Sequence, residues 1–112
     1  MSPTDTFAVF RASADPPATA WLQLRDHLLA AVQHALATLP DLEDALHDKV
    51  LTLMHQHRTH FPLGASHLQR VRHPRAWIHT TATNLVRDAL KRRRRSDGGD
   101  VIAGLSSVPY GA

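Results

Sequence analysis

The chain contains no cysteine, which excludes a disulfide framework, a thiolate metal site and a cysteine nucleophile. It holds no apolar run near the roughly 20 residues that a membrane-spanning helix needs. Its N-terminus lacks the basic-then-apolar order of a signal peptide. Both absences lead to the expectation of a soluble, intracellular protein. Glycine is scarce, at five residues of 112. The one pair, Gly98-Gly99, follows a basic helix instead of preceding one, which is the wrong order for a phosphate cradle. Rings are few as well, with two tryptophans, three phenylalanines and one tyrosine. No nucleophile, base and orienting group form a recognisable set. Histidines are plentiful, but no carboxylate stands at ligand spacing from His55, His57 and His60, and no His-Glu-x-x-His pattern occurs. His57 and His60 are close on a helix while His55 points elsewhere, so the three read as solvated imidazoles at a helix end. The expectation is no enzyme activity, no cofactor and no metal.

Charge is lopsided behind a formal net value of +3. From Met1 to His57 there are three cations against seven anions, a balance of −4. From Arg70 to Arg95 there are nine cations against Asp88 alone, a balance of +8. One acidic part and one strongly basic part suggest two different partners.

Periodicity predicts an all-α fold, a small bundle of three to four helices in one domain over residues 18–95. Residues 1–17 have no period and two closing prolines, and read as a flexible arm. Ala18–Leu39 reads as a helix that buries Trp21, Leu28, Val32, Ala35, Leu36 and Leu39 and turns Gln23, His27, Ala30, His34 and Ala37 away. Pro40 stops it, and Asp41 is placed to cap the next helix. That helix, Leu42–His57, buries Leu42, Leu46, Val50 and Leu53. Its far face carries Asp44, His47, Asp48, Leu51 and His55. Leu51 among acids is either a singly exposed leucine or part of a docking surface for a basic partner. Residues 58–72 read as a loop, with room for a short helix at Ser66–Arg72. Residues 96–112, SDGGDVIAGLSSVPYGA, read as a flexible tail.

The remaining helix, His73–Arg95, carries the densest signal. Pro74 suits its first turn. Ile78, Ala82, Leu85 and Ala89 form a buried stripe, widened by Val86 and Leu90. Thr80, Thr83, Asn84, Arg87, Lys91 and Arg94 fall on the opposite face, with Trp77 at its rim. Five consecutive cations, Lys91 to Arg95, close it where positive charge suits the helix dipole. Such a helix is either a core-packed element with a solvated basic end or a surface for nucleic acid. The cationic run is also compatible with a nuclear-import signal or a membrane-surface patch, the latter weakened by the threonines and asparagine that face outward. The expected core is Trp21, Leu28, Val32, Leu46, Val50, Leu53, Ile78, Ala82 and Leu85.

Two segments in order carry a resemblance. DLEDALHDKVLTLM, from Asp41, resembles the clamp-binding helix of bacterial sigma factors of the extracytoplasmic-function group, whose pattern is roughly acid-x-Glu-Asp-Leu-x-Gln-acid-x-Phe-Leu-x-Leu. HPRAWIHTTATNLVRDALKRRRR resembles that family's promoter-reading helix, with Ala76-Trp77-Ile78, Ala82-Thr83-Asn84, Asp88 and Arg92 to Arg95 in register. The pair spans about Trp21 to Arg95, the module known as region two. His47 stands where glutamine is usual, Ala45 and Lys49 replace apolar residues, and Met54 replaces a larger side chain.

The resemblance implies a region-two type of bundle working in the bacterial cytoplasm. It implies that Asp44, His47 and Asp48, with Leu51 on the same face, dock on the clamp helices of the RNA polymerase core. Trp77, Thr80, Thr81, Asn84 and Arg87 match the surface that holds the melted minus-ten promoter element, on its non-template single strand. Arg70, Arg72 and Arg75 match the loop that helps capture a flipped base. Lys91, Arg92, Arg94 and Arg95 are suited to hold phosphates without reading sequence. Such factors continue into a helix-turn-helix, region four, for which the tail is too short. The chain is then expected to be an isolated module, a truncated product or one half of a split sigma factor whose region four is a separate chain. An anti-sigma factor is a further implied partner. Two other readings stay open: a stand-alone small basic DNA-binding protein, and a clamp-binding regulator that does not support initiation.

Overall fold

Ser2 and Pro3 start a helix where the sequence pattern predicts a flexible arm. The computed structural model describes the backbone of residues 2–106 and the side chains of residues 2–94. In it α1 spans Pro3–Ala12, with the Ser2 hydroxyl accepting a hydrogen bond from the Asp5 amide at 3.3 Å and proline in the first turn. Ten residues are too few for a stable isolated helix in water, so α1 depends on what it buries. Phe7 and Phe10, one turn apart, are both 0% exposed. Phe7 packs edge-on against Phe10 at 5.6 Å and against Trp77 at 5.2 Å between ring centres. Phe10 lies 4.5 Å from the Trp21 ring. Burying a side chain of this size contributes about 1.5–3 kcal/mol, which offsets the ordering of a short segment. The expected arm over residues 1–17 is therefore corrected: its Pro3–Ala12 part is a core element.

After Pro16-Pro17, α2 runs Ala18–Val32 and buries Ala20, Trp21, Leu24, Leu28 and Val32. Gln23 and His27, expected to face away, are half-buried because α1 lands on that side. The Thr6 hydroxyl stands 3.1 Å from His27 Nε2 and ties the two helices. The expected continuation to Leu39 is also corrected: a 3-10 turn, Gln33–Ala35, follows Val32, and a further turn keeps Ala35 and Leu39 buried. Asp41 does not cap α3 with its side chain. Its backbone is already helical, and the Leu42 amide bonds back to the Leu39 carbonyl at 3.0 Å.

The third helix, α3, runs Leu42–His60 and buries Leu42, Leu46, Val50, Leu53 and His57. A 3-10 turn, Phe61–Leu63, continues it, and Gly64 ends it in the left-handed region at φ 67°, a conformation that glycine adopts without steric cost. His57 is not solvated. It is 1% exposed and stands among the rings of Phe10, Trp21 and Phe61. Its Nε2 donates to the Ser13 carbonyl at 2.7 Å, and its Nδ1 lies 2.5 Å from the Ser66 hydroxyl. With Nε2 carrying the proton, Nδ1 of the neutral ring accepts from that hydroxyl. One imidazole thus joins the α1–α2 link, α3 and the loop before α4. The short helix allowed at Ser66–Arg72 is a single 3-10 turn, Leu68–Arg70, whose Leu68 is fully buried.

The last helix, α4, runs Pro74–Ser106, past the expected end at Arg95. The expected tail is thus corrected as far as Ser106, and residues 107–112 lie outside the described residues. Gly98 and Gly99 each cost only about 1 kcal/mol relative to alanine, which does not stop a helix already nucleated. Ile78, Ala82 and Ala89 face the core, with Trp77, Leu85 and Val86 partly buried against it. Leu85 is therefore a border residue of the core rather than a full member. Leu90, expected to widen the stripe, is 39% exposed; with Val86 it borders a groove of about 480 Å³ between α4 and Ala31 of α2. Arg93 of the cationic run donates to the Thr38 carbonyl at 2.6 Å and fastens α4 to the turn after α2. The described residues form an all-α bundle of four helices without strands. None of these helices is long and apolar enough to cross a membrane.

Candidate nucleic-acid interface

A helix that buries 78, 82 and 89 must turn the residues half a turn away toward solvent. Thr80, Thr83, Asn84, Arg87, Lys91 and Arg94 are accordingly exposed, while Arg92, on the Ala89 side of the helix, is exposed beside Leu39 and Pro40. Thr80, Asn84, Arg87, Lys91 and Arg94 follow one another at spacings of four and three, a continuous strip of hydroxyl, amide and cations. Thr81, expected on this face, sits at its edge and is half-buried. Arg75 is exposed in the first turn. The side chain of Arg95 lies outside the described residues.

Trp77 differs from its expected role as a rim ring free to stack. It is half-buried, because Phe7 of α1 covers part of it. Its indole N–H is also committed, donating to His67 Nε2 at 2.7 Å. That bond requires an unprotonated Nε2. Burial pushes the His67 imidazole below its ordinary value of 6.5, and the nearby charges of Lys49 and Arg70 add to the effect. The rest of Trp77 lines an open cavity of about 460 Å³ with His67, Arg70, Val71, Arg72 and His73. The structure thus brings Arg70, Arg72 and Trp77 together at one cavity, while the Asn84-to-Arg94 strip continues along α4.

A second basin, of about 550 Å³, shares Arg70, Val71 and Arg72 with the first and adds Gln69 and Arg11. Arg11 escapes the sequence pattern because it belongs to α1. The available signal is Phe7 and Phe10 one turn apart, which marks a short amphipathic helix ahead of Arg11.

On α3 the expected docking residues Asp44, His47, Asp48 and Leu51 are all exposed, Leu51 at 49%. Spacings of four and three (44, 48, 51) put the acids and the leucine on one face. Glu43 lies off that face and pairs with Arg25 at 3.9 Å. Among the described residues neither Asp44 nor Asp48 has an ion pair. No three histidine or carboxylate side chains stand close enough to hold a metal ion among the described residues.

The chain matches no protein-family model, no curated protein and no solved structure.

Proposed function

We propose that this bundle is a sigma-factor-like initiation module, which docks on the RNA polymerase clamp through α3 and holds melted promoter DNA through α4. One observation carries the reading. Two exposed faces of opposite character, the acids around Leu51 and the Thr80-to-Arg94 strip, occur on the two helices whose sequences resemble the clamp-binding and promoter-reading segments. A stand-alone DNA-binding protein has no use for the first face, and a clamp-binding regulator has none for the second.

The physical task is to make single-stranded DNA the better ligand. Taking one nucleotide out of the stack costs a few kcal/mol. Stacking on an aromatic side chain returns about 1–3 kcal/mol per base. With Phe7 occupying part of Trp77, its remaining surface supplies the lower part of that range. Asn84 and Thr80 offer an amide and a hydroxyl to an exposed base edge. Lys91, Arg92 and Arg94 offer phosphate contacts whose strength falls steeply with salt. These contributions are individually small, so binding of the free protein to DNA is weak, and polymerase supplies the missing affinity by holding the helices in place. On this reading the chain catalyses no reaction of its own and works in the bacterial cytoplasm.

The test is capture of bacterial RNA polymerase core by the tagged chain, comparing the parent with Asp44→Arg/Asp48→Arg. Both positions are exposed, so the double change leaves the fold intact. Retention by the parent and loss in the variant is the expected result. Failure of the parent to retain polymerase rejects the reading and leaves a small basic DNA-binding protein, for which the α3 change is silent.

A further inference from the structure

Two arginines elsewhere in the bundle are matched by carboxylates, while Arg75, Arg87, Arg92 and Arg94 of α4 stand exposed without an ion pair among the described residues. Arg25 lies 3.7 Å from Asp26 and 3.9 Å from Glu43, and Arg58 lies 3.3 Å from Asp15. Arg11, Arg70 and Arg72 are not matched. They share one basin with Gln69 and Val71, no carboxylate lines it, and among the described residues none of the three has a side-chain hydrogen bond or ion pair. Gln69 is oriented by its backbone neighbour: its Oε1 accepts from the Ser66 amide at 3.1 Å, which leaves the NH₂ end as a donor. The side chains lining the basin thus offer guanidinium and amide donors and no carboxylate. Gathering three guanidinium groups without a counter-charge raises self-repulsion. An oxyanion relieves it, and the planar fork of arginine fits phosphate oxygens.

Two further facts narrow the ligand. The basin adjoins the Trp77 cavity, with Arg70, Val71 and Arg72 forming a shared wall. A ring-lined slot beside a cationic basin matches the alternation of base and phosphate in a single strand. The backbone at Arg11 is fixed as well, since it follows the fully buried Phe10 by one residue. We infer that Arg11, Arg70 and Arg72 form a site for a backbone phosphate of single-stranded DNA, and that α1 is thereby part of the nucleic-acid surface. The inference rests on the DNA-binding half of the proposed function and is independent of polymerase docking.

The experiment is fluorescence anisotropy of a labelled single-stranded oligonucleotide with the full chain, repeated over a range of salt. One lost phosphate contact lowers the slope of log affinity against log salt by about 0.7, which at 0.1 M salt, relative to 1 M, is about a fivefold loss of affinity. Arg11→Gln is expected to show both effects, Arg11→Lys to retain the slope, and Arg58→Gln, at an arginine already paired, to match the parent. An Arg11→Gln slope equal to the parent's overturns the inference and leaves the DNA-binding reading standing. A parent that binds no single strand even at low salt overturns both. Inorganic pyrophosphate, titrated in parallel and followed by tryptophan emission, separates the sources of phosphate: Arg11-dependent pyrophosphate binding with Arg11-independent DNA binding assigns the basin to a small phosphoanion and overturns the DNA assignment.

Discussion

Truncating Phe10 to alanine tests whether the N-terminal segment is part of the core. The ring is 0% exposed and is enclosed by Phe7 at 5.6 Å, Trp21 at 4.5 Å and His57 at 5.8 Å. A buried Phe→Ala change costs about 3–5 kcal/mol, the lower figure applying where neighbours collapse into the void. Here collapse is resisted, because His57 is held by hydrogen bonds on both nitrogens and Trp21 is itself buried. We expect about 4 kcal/mol, a large share of the 5–15 kcal/mol typical of a whole domain. For a chain of this size the midpoint of thermal unfolding then falls by about 15–30 °C. Urea unfolding followed by far-UV circular dichroism measures the free energy directly, provided the slope with denaturant is unchanged. Ala8→Ser, on the exposed side of the same helix, should stay within about 0.5 kcal/mol. A Phe10→Ala protein within about 1 kcal/mol of the parent would refute the docking of α1 and restore the flexible arm.

Ser66→Ala removes the partner of His57 Nδ1 inside the core and should cost about 1–3 kcal/mol, the penalty for a buried unpaired acceptor; a urea midpoint equal to the parent's would mean the hydroxyl makes no such bond. His67 is expected to titrate below 6.5, since burial and then Lys49 and Arg70 lower its pKa. The unfolded chain then takes up this proton more readily than the folded one, so the contribution of His67 to stability is present above about pH 6.5 and lost as the pH falls through the folded-state value. Protonation also ends acceptance from the Trp77 indole, so Trp77 side-chain NMR resonances should shift along the His67 titration; a His67 midpoint at or above 6.5 contradicts the arrangement.

The three larger helices were legible because each carries its own apolar period. Leu42, Leu46, Val50 and Leu53 mark α3 without reference to any other segment, and Ile78, Ala82 and Ala89 do the same for α4. The same period held more than the apolar residues drew from it. His57 continues the α3 stripe four residues after Leu53, and Leu24 sits between Trp21 and Leu28, yet a histidine reads as polar until Ser13 and Ser66 satisfy it. For α1 the reason is different. Two phenylalanines in ten residues are a weak local signal, and the pocket that receives them is built from Trp21, His57 and Trp77, all distant in sequence. The outward strip of α4 and the acids of α3 were readable as the complements of buried stripes. The state of Trp77 was not, since it depends on Phe7 and His67. Arg11 was hidden for the same reason.

The contact between Phe7 and Trp77 has a bearing on how the protein is made. Synthesis delivers α1 before the other helices, yet one wall of its binding pocket is a ring about 70 residues downstream, and the Ser13–His57 bond spans 44 residues. Contacts so far apart in sequence slow folding. While α4 is still being translated, Phe7 and Phe10 have only part of their pocket and present two aromatic side chains to the surroundings. That stretch of the nascent chain is where a chaperone finds its handle or an aggregate its seed, and an interruption of translation before Trp77 leaves Phe7 without one wall of its pocket.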